Sequence, residues 1–80
     1  MDNPVNERDP KRRLVTARMI LALFDNQLAE YDRMNRAQRR STPRGRDLTA
    51  RLHGLKEGRA TWARKVAALE TQIAAEGDTT

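Results

Sequence analysis

Between Leu14 and Tyr31 the apolar residues fall at Leu14, Ala17, Leu21, Phe24, Leu28 and Tyr31, in alternating steps of three and four. That spacing keeps one stripe of an α-helix apolar and makes a heptad seam. A second seam follows at Leu48, Leu52, Leu55, Arg59, Trp62, Val66, Leu69 and Ile73, with Arg59 its single charged member. Two helices with one apolar stripe each bury them best against one another. If the chain folds back near position 41 or 42, residues whose numbers sum to about 83 face each other. Leu14 then opposes Leu69, Leu21 opposes Trp62, and Leu28 opposes Leu55. The expected fold class is all-α: an antiparallel, coiled-coil-like two-helix hairpin, paired as a homodimer into a four-helix bundle.

Punctuation in the sequence sets the expected boundaries. Residues 1–8 are polar, contain Pro4 and offer only Val5 for burial, so they read as a flexible N-terminal arm. The hairpin is expected over residues 9–76, with a first helix over about 10–40, a turn at about 41–42 and a second helix over about 43–76. Asp9 before Pro10 and Thr42 before Pro43 each place an acceptor side chain ahead of a proline. The oxygen can take a first-turn amide, and proline gives up nothing at a position whose amide has no partner. Gly77 ends the second helix, and residues 77–80 read as a frayed tail. Lys11, Arg12 and Arg13 oppose the helix dipole, so they are expected to lie beside Glu70 and the free carbonyls of the second helix's end. In the same register Asp25, Glu30 and Asp32 approach Arg59, His53 and Arg51, with the Arg59 stem on Phe24 and its head at Asp25.

A hairpin built from 80 residues buries too little surface to be comfortably stable alone, so a partner is implied. The chain has no cysteine to form a disulfide or a thiolate metal site, and its one histidine, His53, cannot make a metal site alone. No metal and no cofactor are expected. No apolar run approaches the ~18 residues of a membrane span, and the start at Asp2, Asn3 and Pro4 does not read as a signal segment, so a cytoplasmic protein without a membrane partner is expected. Thirteen arginines and three lysines against eleven carboxylates give a net charge of +5, which favours an anionic partner without naming one.

Two stretches carry functional expectations. From Leu14 to Phe24 the first helix is apolar on more than its seam, because Val15, Met19, Ala22 and Leu23 form a second stripe pointing away from the opposing helix. This patch covers either a second copy of the chain or a different partner protein. The other stretch is the turn, where Arg36, Arg39, Arg40, Arg44, Arg46 and Arg51 gather with Asp47 as the only acid among them. Guanidiniums there are either solvated or in contact with the phosphates of DNA or RNA. Ala50, Gly54 and Gly58 form a stripe of small residues, expected to receive a neighbouring backbone or ring, or else to mark a kink. No catalytic set converges, so no enzyme is expected. The leading reading is a small, non-enzymatic, homo-oligomeric module for assembly or regulation that docks a partner protein through the patch. The alternative is a nucleic-acid-binding module led by the arginine tip.

Overall fold

The computed structural model describes residues 9–77, so the expected arm over residues 1–8 and all of the expected tail beyond Gly77 lie outside the described residues. Within them the chain is all-α: 94% helix, no strands, three helices. These are α1 (Pro10–Arg33), α2 (Arg36–Ser41) and α3 (Pro43–Gly77). Asp9 caps α1 in an extended conformation, its side chain accepting from the Lys11 amide at 3.0 Å with Pro10 at the first helical position.

The continuous helix expected over about 10–40 is interrupted at Met34 and Asn35, both of which are extended. Three interactions make the break. The Asn35 side chain accepts from the Gln38 amide and the Gln38 side chain accepts from the Asn35 amide, each at 2.8 Å, closing a reciprocal capping box that starts α2. The Arg39 guanidinium donates from Nε to the Tyr31 carbonyl at 3.1 Å, adding a second donor to an acceptor that already takes the Met34 amide at 3.1 Å. Asparagine also competes poorly for a helix interior, because its side chain bonds the backbone better at a cap. The connection between the long helices is therefore a one-and-a-half-turn helix rather than the two residues expected at 41–42. Thr42 alone separates α2 from α3. Its hydroxyl donates to the Gln38 carbonyl at 2.6 Å and accepts from the Gly45 amide at 2.9 Å, so one side chain closes α2 and caps α3.

α3 runs unbroken for 35 residues, through both Gly54 and Gly58. At 1.5 Å per residue such a helix is roughly 52 Å long, which sets the longest dimension of the molecule, 56 Å. α1 lies along α3. Leu14, Ala17 and Leu69 are buried together, with Trp62, Val66 and Ile73 packed around them, and Leu48 and Leu55 are buried further along α3. Arg18 reaches Glu70, Asp25 reaches Arg59 and Glu30 reaches Arg44, so partners on α3 fall in number as those on α1 rise.

Gly58 packs against Phe24: a Cβ at that position would fall 2.4 Å from the ring, which is the physical reason for a glycine there. Gly54 meets nothing within 4 Å, so the small-residue stripe has an occupant at only one of its glycines.

Several expected charge pairs form differently. Asp25 does meet Arg59. Glu30, however, takes Arg44 instead of His53, Arg51 pairs with Asp47 instead of Asp32, and His53 meets Glu57. The last two pairs are i, i+4 neighbours on α3, and a partner one turn away costs less side-chain ordering than one across the helix pair. Glu70 is taken by Arg18 at 2.7 Å, not by Lys11, Arg12 or Arg13. Arg12 instead approaches Asp9 at 4.0 Å.

Candidate interaction surfaces

Three surfaces stand out, each set by its place on the helices. On α1 the seam residues Leu14 and Ala17 turn inward and are 8% and 2% exposed, while Val15, Met19 and Leu23 on the same helix are 57%, 64% and 60% exposed. The three are spaced four apart and so line one stripe, with exposed Ala22 beside it. All four residues of the expected patch thus share the outer face of α1.

At the tip the six expected arginines divide into two groups. Arg39, Arg44 and Arg51 are engaged within the chain. The Arg39 guanidinium lies 4.1 Å from the centre of the Tyr31 ring while it donates to the Tyr31 carbonyl. Arg44 grips Glu30 with two hydrogen bonds of 2.9 and 2.8 Å and also approaches Asp47 at 3.6 Å. Arg51 meets Asp47 at 3.2 Å. The fork of Arg44 holds the Glu30 carboxyl below its ordinary pKa. Desolvation opposes this, and the charges of Arg44 and Arg33 add to the lowering; the same pair raises the pKa of Arg44. Arg36, Arg40 and Arg46 are exposed, and their guanidiniums have no hydrogen-bond or ion-pair partner among the described residues. Sequence spacing offers Asp47 to Arg51 one turn away, but the places of Arg39 and Arg44 follow from where α2 folds.

The third surface has no counterpart in the sequence reading. Near the cluster of Leu14, Ala17 and Leu69, an open groove of about 440 Å³ runs between α1 and α3, floored by Ala17 and Leu69 and flanked by Arg13, Thr16, Trp62 and Lys65. The Lys65 ammonium sits 5.4 Å from the centre of the Trp62 ring. The spacing of three between Trp62 and Lys65 was the available signal, but Trp62 reads first as a seam residue.

Among the described residues no group of three or more His, Cys, Asp or Glu side chains could hold a metal ion. No helix there is long and apolar enough to cross a membrane. No family model, curated protein or solved structure matches this chain at a significant level.

Proposed function

We propose that this chain is a non-enzymatic assembly or regulatory module. In this reading it is an antiparallel helical hairpin that self-associates through the outer stripe of α1, two copies making a four-helix bundle. The observation that carries the reading is the stripe itself: Val15, Met19 and Leu23 on one face, each more than half exposed. Isolated exposed apolar residues are ordinary on a protein surface, but a contiguous row of large ones marks an interaction surface. A second observation supports it. The buried apolar side chains among the described residues are Leu14, Ala17, Leu48, Leu55 and Leu69, a small core for a chain of this length. A symmetric contact between two copies of the stripe would bury both at once.

Light scattering coupled to size exclusion tests the reading. The wild type should elute with twice the chain mass, and Met19→Glu combined with Leu23→Glu should give monomers of lower helix content and lower melting temperature. A wild type that stays monomeric at high concentration would remove self-association. A double variant that keeps mass and helicity but loses a bound protein would instead assign the stripe to that different protein.

A further inference from the structure

The tip of the molecule concentrates its charge. Residues 30–51 hold seven arginines against the three carboxylates Glu30, Asp32 and Asp47, so four of the chain's five net positive charges lie in this stretch. The fold then separates these cations by what they already touch. Arg44 occupies Glu30, Arg51 occupies Asp47, and Arg39 is fixed to the end of α1. The guanidiniums of Arg36, Arg40 and Arg46 are left exposed and without a partner among the described residues, the first two one turn apart on α2 and the third in the first turn of α3. With Glu30 and Asp47 occupied, those carboxylates do not compete for the three free guanidiniums.

We infer that Arg36, Arg40 and Arg46 form a phosphate grip for the backbone of duplex nucleic acid. Charge complementarity favours a polyanion, and a forked guanidinium bonds phosphate oxygens in pairs. Duplex is favoured over single strand because the one aromatic ring in the stretch, Tyr31, already carries Arg39 on its face and offers no platform for a base. A lipid surface fits poorly, since residues 36–51 hold no Trp, Phe or Tyr to enter the interface beside the cations. The grip reads charge rather than sequence, for no group here is set to reach base edges. It is independent of self-association, which would double the number of grips without changing any of them.

The test uses the full chain and a mixed-sequence DNA duplex of about 20 base pairs, titrated by fluorescence anisotropy from about 50 to about 200 mM salt. The wild type should bind the duplex more tightly than the corresponding single strand, with affinity falling steeply as salt rises. Arg36→Ala, Arg40→Ala and Arg46→Ala together should lower the slope of log affinity against log salt by about 2.7, at about 0.9 for each lost phosphate contact. The matching lysine variant should keep the wild-type slope, which separates loss of charge from loss of fold. Arg39→Ala, Arg44→Ala and Arg51→Ala together should melt at lower temperature yet keep most of the slope, because those groups hold the tip rather than the ligand. An unchanged slope in the first variant, equal loss in both triple variants at equal helix content, or equally tight binding to polyglutamate would each overturn the inference, the last in favour of an acidic protein.

Discussion

At one end of the α1–α3 pair, Leu14, Ala17 and Leu69 are buried together under Trp62, Val66 and Ile73. At the other, α2 joins α1 to α3 on polar contacts: the Asn35–Gln38 capping box, the Thr42 hydroxyl between two helices, and Arg39 across the end of α1. Burial at the first end is non-directional and tolerates adjustment, so a heptad repeat is enough to specify it. Hydrogen bonds at the second end require particular donors at particular places, and each one fixes a backbone direction. The difference explains why the tip presents a defined set of free cations, whereas the apolar end presents a groove and a stripe whose detailed shape any partner is free to settle.

The largest effect should come from the apolar end. Leu69→Ala removes a buried side chain that is 7% exposed, from a cluster with few other members. Large-to-small substitutions of this kind cost about 2–5 kcal/mol, and the open groove beside Leu69 lets its neighbours relax, so a loss of about 2 kcal/mol is expected. Urea unfolding at fixed protein concentration measures it. A variant as stable as the parent would mean that the apolar end does not hold the pair together, and the contrast between the ends would collapse.

The periodicity of Leu14 to Tyr31 and of Leu48 to Ile73 made the two long helices legible, because a repeat of three and four has one simple physical solution. The outer stripe was legible for the same reason: Val15, Met19 and Leu23 keep helical spacing on the wrong side of the seam. The break at Met34 and Asn35 was not read, although Asn35 and Gln38 stand at capping-box spacing. Four residues of local chemistry outweighed a helical pattern that had already run out of seam residues after Tyr31. The engaged arginines were unreadable for a further reason. Arg39 and Arg44 find Tyr31 and Glu30 only after α2 has turned the chain, eight and fourteen residues away in sequence.

The tip should respond next, and through its backbone. Gly45 is buried where α2 crosses the start of α3, and a Cβ there would stand 2.1 Å from the Gln38 carbonyl oxygen and 2.7 Å from the Arg39 Cα. These are backbone atoms held by the caps, so they cannot swing aside as a side chain would. Gly45→Ala should cost about 1 kcal/mol, the overpacking being partly offset by the helix preference of alanine over glycine. Gly54 supplies the opposite sign on the same helix. With open space around it, Gly54→Ala should stabilise by about 0.5–1 kcal/mol, the ordinary gain of alanine over glycine in a helix interior. Thermal melts of the two variants at one protein concentration should move in opposite directions. A neutral Gly45→Ala would show that α2 is not pinned by close approach, and a destabilising Gly54→Ala would show that something outside the chain packs on that face.

The smallest effect concerns the ion pair between Glu30 on α1 and Arg44 on α3. Folding lowers the Glu30 pKa below its reference of 4.5, chiefly through the hydrogen bonds from Arg44. A carboxyl whose folded pKa is depressed binds fewer protons folded than unfolded within that interval. Its contribution to stability is therefore complete above the unfolded pKa and is lost as the pH falls through the folded one. Both side chains are substantially exposed, at 48% for Arg44 and 36% for Glu30, so water and salt screen the pair and the effect on melting temperature should be slight. Carbon NMR of the Glu30 carboxyl gives the sharper reading: its titration midpoint should lie below that of an ordinary glutamate and rise in Arg44→Ala. In melts, wild type should exceed Glu30→Gln by a small constant margin above pH ~5 that shrinks on acidification and narrows further in high salt. A Glu30 midpoint indifferent to Arg44→Ala would mean that the pair is not formed in solution, leaving the caps alone to hold the tip and adding Arg44 to the free cations there.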